Sequence, residues 1–408
     1  MYQKHITVIT GYFYPEDTAI GLYTTQFCDF LVQQGYKVSV ITGYPYYPAW
    51  KIADDYQNRP SPHQEIVRGM TIYRHRQFVP NRVNFSGRIK LMLSYASGVW
   101  KSSRKIKKTD LVIAIVPLTF LVIPARNLAV RCGAKLWVHV QDFEFDLALE
   151  SGVLKKNSFA IRLVKNVVRK LEQKMLNSAT IVSSISSGML QKARDKSKHQ
   201  QPFYFPNWVS GTQISPQRSS RHSILNPNKF TLLYSGNIGE KQDWQFLQGL
   251  CELVSDPAIE ILIVGDGGAR KSLELMLSRY EFVRFHQPLP YEELNDLICH
   301  AQVHFLFQKT DILDSLMPSK ILGMMASARP SIVTGNSASE VALNFKKSGG
   351  GSYFSDGNPN TVYQQILEWK NHPEKAEAVG KNARHFILHE FSDDAILNRF
   401  KQKIEEIL

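Results

Sequence analysis

Lys320 stands at the start of a helix-like run, "MPSKILGMMASA", directly behind Pro318 and Ser319. Proline suits a first helical position, because its missing N–H would have no partner there anyway. Lysine does not suit it: an ammonium opposes the positive end of a helix unless an anion lies between them. The misfit points to a bound phosphate. A second lysine, Lys241, closes the loop "SGNIGEKQDW", where Gly236 and Gly239 flank Asn237 and Ile238. Backbone amides plus one ammonium suit a diphosphate. A Walker loop is excluded, because G-x-x-x-x-G-K-[ST] is absent. "VGDGGARKSLE", with Gly265, Gly267 and Gly268, reads as a tight strand-to-helix turn.

Three further stretches carry side chains that chemistry needs. "GYFYPEDTAIGLYTTQF" runs from Gly11 to Phe27, and Gly21 is placed to open a helix. It is either a plain turn or a close approach to an anion; no G-x-G-x-x-G fingerprint is present, so a dehydrogenase is not supported. "VHVQDFEFD" puts His139 at a strand end, followed by Asp142, Glu144 and Asp146. These carboxylates either orient an acceptor hydroxyl or form a solvated loop beside a satisfied histidine. Glu340, in "NSASEVA", is a capping carboxylate or, if it faces a cleft, a ribose ligand.

The elements that must hold these loops are strands and helices in alternation. Continuously apolar runs at His5–Thr10, Lys37–Thr42, Asp110–Val116, Lys135–Val140 and Ala179–Ser183 fit strands covered on both faces. Gly21–Gln33 has a helical pattern. The alternation restarts near Lys229, with strands expected at Phe230–Ser235, Ile259–Val264, Phe282–Phe285, Val303–Phe307 and Ser331–Thr334. Strand, helix, strand in this order gives parallel sheets with right-handed crossovers. The expected fold is α/β, with two Rossmann-like, doubly wound domains. They span residues 1–207 and 229–392, joined by a Ser-, Pro- and Asn-rich linker at 208–228. A last helix at 393–408 needs an apolar surface, offered by either domain, and packing back on the first is one of the two options. In such sheets ligands sit beyond the carboxyl ends of the strands, where the loops above lie.

With 408 residues the chain has ample length for two large cores. Four scattered cysteines suggest neither a disulfide framework nor zinc, and so a reducing cytoplasm. No charged-then-apolar leader follows Met1, and no apolar run approaches the roughly 20 residues of a membrane span. The net charge of +13 is uneven: residues 1–205 hold 29 Lys and Arg against 13 Asp and Glu. Such an asymmetry points to an anionic partner, nucleic acid or acidic lipid.

In combination, "IGLYT", "TGYPYYPAW", "VHVQDFEFD", "FPNW", "LYSGNIGEKQ", "IVGDGG" and "MPSKIL" resemble the retaining glycosyltransferases of family four, of GT-B architecture, and among them a colanic-acid biosynthesis subgroup. The resemblance covers essentially the whole chain. It implies transfer of a hexose or deoxyhexose from a nucleotide-diphosphate sugar to a polyprenyl-diphosphate-linked saccharide. No metal and no cofactor are expected: lysines and helix ends stabilise the departing diphosphate. His139 takes the place of a histidine near the transferred sugar, and Lys241 and Lys320 those of the phosphate-neutralising bases. The Gly21 loop faces donor phosphate and acceptor, and backbone near Gln287 to Leu289 reads the base. Tyr14, Asp142 and Glu144 fall on the acceptor side; Gly236, Asn237, Gly239, Pro318 and Ser319 on the donor side.

The chain departs from the family pattern. Ser315 and Gly323 stand where an E-x7-E pair is common, so Glu340 is a candidate replacement for the ribose contact, and Asp311 or Asp314 for the sugar contact. Asn237 replaces a common arginine, and the family lysine aligns with Lys241 or Gln242. Two basic stretches, Gly87–Lys108 and Lys155–Met175, interleave apolar and cationic residues. Each is a core-packed helix with a solvated face or an interfacial helix. With a lipid-linked acceptor implied, peripheral binding of the first domain to the inner face of the cell membrane is expected. A nucleic-acid scaffold rests on charge alone, since no RRM, zinc-finger or helix-turn-helix pattern is present. A GT-B fold without transferase activity is the third alternative.

Overall fold

The computed structural model describes residues 3–16, 19–47, 49–81, 85–117, 119–143, 159–199, 201–310 and 318–408. Asp146, Glu144, Asp311, Asp314 and Ser315 lie outside the described residues. The chain divides into two compact units, Met1–Pro206 with Leu397–Leu408, and Asn207–Ile396.

The first unit is built on β1 (His5–Thr10), β2 (Lys37–Gly43), β3 (His63–Val67), β4 (Met70–His75), β5 (Leu111–Val116), β6 (Lys135–Val140), β7 (Ile181–Ser184) and β8 (Phe203–Tyr204). Its helices are α1 (Ala19–Gln33), α2 (Asp54–Gln57), α3 (Phe85–Ser103), α4 (Val122–Cys132), α5 (Phe159–Asn177) and α6 (Ser187–Lys196). The strand order is β3-β4-β2-β1-β5-β6-β7-β8. Every pairing is parallel except β3 with β4. β1 and β5 are buried at every residue, as strands covered on both faces must be.

The β3–β4 hairpin has no counterpart among the expected strands. Its two-residue turn, Arg68–Gly69, has φ of 50° and 80°, the paired positive angles of a type I′ turn. β3 alternates half-buried with exposed residues, which makes it an edge strand rather than a continuous apolar run. Helix α1 begins at Ala19, so Gly21 lies inside it and does not open it.

The end of the chain belongs to the first unit. Phe400 is fully buried, and its ring lies 4.6 Å from Phe27, 4.3 Å from Trp137 and 4.3 Å from Phe205, centroid to centroid. Aromatic rings at such distances add to the area they bury.

The second unit holds β9 (Phe230–Ser235), β10 (Ile259–Val264), β11 (Val283–His286), β12 (Val303–Phe307), β13 (Ser331–Thr334) and β14 (Gly351–Phe354). Its helices are α7 (Trp244–Leu253), α8 (Arg270–Leu277), α9 (Leu294–Ile298), α10 (Ser319–Ala326), α11 (Glu340–Ser348), α12 (Pro359–Asn371), α13 (Pro373–Glu390) and the start of α14 (Asp393–Ile407). The order β11-β10-β9-β12-β13-β14 is all parallel, and its direction of winding reverses between β9 and β12.

The segment expected as a linker, 208–228, is packed into this unit. Ser215 N–H donates to Asn295 (2.8 Å) and Ser220 N–H to Asp296 (2.9 Å). Arg384 donates to the carbonyls of Gly211 and Ile214. Trp208, Ile214 and Leu225 are buried. Its polar composition serves hydrogen bonds to neighbouring elements, which a composition-based reading mistakes for solvent exposure.

Truncating a buried ring leaves a cavity costing about 3–5 kcal/mol. Phe400→Ala is expected to destabilise the first unit by that amount in urea denaturation; an unmoved transition would show that the last helix contributes nothing to this core.

Candidate functional site

In the second unit the crevice between β9 and β12 is the switch point of the sheet, where open α/β folds bind ligands. Three glycines let the loops there approach closely. Gly236 (φ 138°), Gly265 (φ 157°) and Gly267 (φ 154°) adopt angles that L side chains rarely take. A Cβ on Gly265 would fall 1.9 Å from the Gly236 carbonyl oxygen, and one on Gly267 2.3 Å from that of Ile238. Gly265 and Gly267 of "VGDGG" are therefore the support on which the Gly236 loop lies. Ile238 N–H donates to Asp266 O, and Ala269 N–H to Ile238 O.

Lys320 reaches into this loop. Its Nζ would lie 3.2 Å from a Cβ on Gly236. It donates to Tyr234 Oη (2.8 Å) and stands 4.3 Å from the centre of that ring. Tyr234 Oη donates in turn to Asn237 O at 2.5 Å. Burial raises the Tyr234 pKa, so the phenol stays neutral, and a neutral phenol positions an ammonium without cancelling its charge. Sequence reasoning missed Tyr234, which is hidden inside an apolar strand.

Pro318 is the residue before α10, at φ −58° and ψ 130°, and Ser319 is the first helical residue. The expected first-position proline is thus displaced by one. Among the described residues Gly323 meets only Ile298 Cδ1, at 3.7 Å from a built Cβ, so tight packing against them does not require glycine there.

Lys241 is exposed, and its carbonyl accepts from Lys309 N–H. Gln242 instead braces its own loop, accepting from Gly239 N–H at 3.0 Å. Of the two, Lys241 is the more exposed. Gln287 is exposed just beyond β11, and its carbonyl lies 2.8 Å from His286 Nδ1; Leu289 is half-buried. Glu340 is the first residue of α11 and half-buried, but Ser339 is the cap, accepting from Ala342 N–H. Glu340 is a first-turn acid, beside the positive end of the helix.

In the first unit the switch point falls between β1 and β5. Glu16, not singled out from sequence, organises it. Its carboxylate is buried and accepts from Tyr46 N–H and Tyr47 N–H, each at 2.8 Å. A Cβ on Gly21 would lie 2.2 Å from Glu16 O; Gly21 allows this close return of the chain. Tyr14 is held by its main chain, donating to Thr25 Oγ1 and accepting from Arg74, with Arg68 stacked 4.9 Å from its ring. Tyr12, Tyr46, Tyr47 and Trp50 form an aromatic cluster beyond β1 and β2, with centroids 5.7–6.2 Å apart. Asp142 is half-buried just beyond β6.

His139 is 2% exposed. Its Nδ1 lies 2.9 Å from Ser183 Oγ and its Nε2 3.0 Å from Gln141 Nε2. Ser183 also accepts from Trp137 Nε1–H at 2.7 Å. With both nitrogens engaged, and burial lowering its pKa to about 3, the ring fixes the end of β6 and exchanges no proton at neutral pH. Among the described residues, no group of three or more His, Cys, Asp or Glu is placed to hold a metal ion. The four cysteines are free thiols.

The glycosyl transferase 4-like domain matches residues 18–208. The colanic acid biosynthesis glycosyl transferase WcaI of Escherichia coli K12 is 29% identical over 340 residues, 80% of this chain and 82% of that one. The fold is similar to that of sucrose-phosphate synthase from Thermosynechococcus elongatus, with TM-score 0.75, 15% identity and 99% of each chain covered. It is also similar to HepE from Anabaena in complex with UDP and glucose, with TM-score 0.70, 12% identity, and 99% of this chain and 100% of that one covered.

Burial also lowers His75 to about 3 and His304 to about 4. Unfolded, these histidines and His139 protonate near pH 6.5, so below that pH the unfolded chain binds more protons. Their stability is complete above pH 6.5 and lost as pH falls towards 3–4, by about 1.4 kcal/mol per pH unit for each histidine. Urea midpoints at pH 7 and pH 5 should therefore fall steeply; equal midpoints would show that these rings protonate in place. Residues 18–208 thus carry a glycosyl transferase 4-like domain, and the chain has the two-unit GT-B fold of solved glycosyltransferases.

Proposed function

We propose that the chain moves a hexose or deoxyhexose from a nucleotide-diphosphate sugar to a polyprenyl-diphosphate-linked saccharide, with retention at the anomeric carbon, in the synthesis of an extracellular polysaccharide. The observation that carries the donor half is the Lys320 ammonium at the β9/β12 switch point, beside Gly236. An ammonium, the start of α10 and glycine-rich backbone together suit the charge that a leaving nucleotide diphosphate acquires. Lys241, on the loop after β9, supplies a second cation from solvent. In this reading lysines do the work of a divalent ion, so neither metal nor cofactor is required.

Two resemblances support the substrate classes. HepE was solved with UDP and glucose, which favours a nucleotide-sugar donor, UDP- or GDP-linked. WcaI is named for colanic acid biosynthesis, which favours a saccharide acceptor in exopolysaccharide, capsule or O-antigen synthesis. A lipid-linked acceptor is presented at the inner, anionic face of the cell membrane, and the basic first unit is suited to that surface. The Tyr12 cluster and Asp142 lie on the acceptor side, and Glu340 is proposed to hold the ribose in place of the glutamate absent at Gly323.

Donor binding is tested by melting temperature with UDP, GDP, ADP and dTDP. One nucleotide is expected to stabilise the parent. Lys320→Ala should weaken its affinity about ten- to a hundredfold, the worth of a charge-assisted hydrogen bond. Tyr234→Phe should weaken it less, because the ring still attracts the ammonium. No shift with any nucleotide, or an equal one in Lys320→Ala, would remove the phosphate site. Glu340→Gln should weaken the same nucleotide; unchanged affinity would remove the ribose role.

Transfer to a lipid-linked saccharide is expected to continue at its full rate in EDTA. A loss restored by magnesium or manganese would overturn the assignment of charge stabilisation to the lysines.

A further inference from the structure

Helix α3 packs one face on the sheet and leaves an apolar stripe on the other. Leu91, Met92, Tyr95 and Val99 are buried, whereas Leu93 is 55% and Trp100 38% exposed. Leu93 and Trp100 are seven residues apart, two turns along one face. Beside α3, helix α4 shows the same arrangement, with Ile123 44% and Val130 68% exposed. Between the two helices runs an open groove of about 280 Å³ with almost no polar lining, where Leu93, Ala96 and Trp100 face Phe120, Ile123 and Pro124.

The surroundings are cationic. From Ile66 to Gln141 the chain has fourteen Lys and Arg and a single carboxylate, Asp110. Arg88, Lys90, Lys101, Arg104, Lys105 and Arg126 on or next to these two helices are exposed. Solvent-facing Leu, Ile and Trp ringed by cations, with no anion among them, complement a surface whose outside is anionic and whose inside is hydrocarbon. Nucleic acid offers the charge without the hydrocarbon. Tryptophan with an apolar body and a polar edge suits the boundary between headgroups and acyl chains.

We propose that the α3–α4 face is the membrane-insertion surface of this chain. The groove takes an acyl chain of an anionic phospholipid leaflet, and the cations around it take headgroup phosphates. The surface deepens the transfer reading above, on which it rests for its purpose, since it brings the chain to a lipid-linked acceptor. Of the two basic stretches seen in the sequence, it assigns insertion to Gly87–Lys108, extended by α4. The other stretch, Lys155–Met175, falls partly outside the described residues. The groove also lies where it is useful: the 3-10 turn Thr119–Leu121 and α4 start just beyond the carboxyl end of β5. The loops holding Tyr12 and Tyr46 leave β1 and β2 at the same end of the parallel sheet.

The test is co-sedimentation of the full chain with vesicles of phosphatidylcholine alone or with phosphatidylglycerol. Parent protein is expected to bind the anionic vesicles, less so as salt rises, and to leave neutral ones. Leu93→Ser with Ile123→Ser, and separately Lys101→Glu with Arg104→Glu, are expected to weaken that binding about tenfold or more. All four positions are exposed, and an unchanged melting temperature certifies the fold. Quenching of tryptophan by brominated acyl chains should fall in Trp100→Phe, a substitution that keeps an aromatic side chain.

Parent-like binding by the Leu93/Ile123 variant would overturn the proposal. So would its conversion of a dimer to a monomer in sedimentation, which would make the face a contact between copies, or oligonucleotide binding that depends on the same residues. The nucleotide melting panel is independent of this face. Vesicle binding without nucleotide binding would sink the transferase reading alone, and the reverse result would sink the insertion surface alone.

Discussion

A single ammonium group, held above a tyrosine ring and tethered to its hydroxyl, is the charge on which the chemistry proposed for the second unit depends. Lysine at the first turn of a helix works against the helix dipole, and by itself that position is electrostatically poor. Here the cost is met locally. The Tyr234 ring face attracts the cation, its hydroxyl accepts one of the three protons, and the same hydroxyl donates to Asn237 O. The charge stays whole while its position is fixed. Gly236 can lie against it only because no side chain intervenes, and Gly236 sits where it does because Gly265 and Gly267 leave room beneath. Ammonium, phenol and three glycines thus form one assembled unit, suited to the phosphate site proposed above.

The first unit is organised by a carboxylate instead. Glu16 gathers the amides of Tyr46 and Tyr47 and so sets the aromatic loops beyond β1 and β2. Arg74, almost wholly buried, pairs with Glu65 and donates to Tyr14 O, which ties the hairpin to the same loop. Buried charges of this kind persist because every one has partners. The aromatic surface they support is held at its roots by hydrogen bonds, a useful property for a face proposed to receive the flat side of a sugar ring.

Much of this was legible in the residues. β1, β6, β9, β10, β12 and β13 have the bounds that their apolar runs suggest, because a strand covered on both faces admits few polar residues. The Pro318–Lys320 misfit pointed to the crevice from charge alone. What escaped has physical reasons. The β3–β4 hairpin is half solvated and so has no continuous apolar run, although Arg68–Gly69 carried a turn signal. The segment 208–228 looked like a linker because its polar side chains were read as wanting water, when their partners are Asn295 and Asp296. Tyr234 and Glu16 are invisible as site residues until a fold brings loops to them, since nothing in their local spacing distinguishes them from core and turn. His139 is a reactive residue type at a strand end, and only the fold shows that its nitrogens lie beside Ser183 Oγ and Gln141 Nε2.

Helix α3 has a second face, and its Tyr95 is the residue there that matters. Its hydroxyl donates to Gly11 O at 2.7 Å and accepts from Gly43 N–H at 2.5 Å. These glycines are the first residue after β1 and the last of β2, from which the Tyr12 and Tyr46 loops depart. One helix therefore bears the proposed insertion surface on one side and touches the roots of the Tyr12 and Tyr46 loops on the other. A tilt of that helix would reach both loops through these two hydrogen bonds, so the proposed adsorption and the proposed substrate alignment would be mechanically coupled.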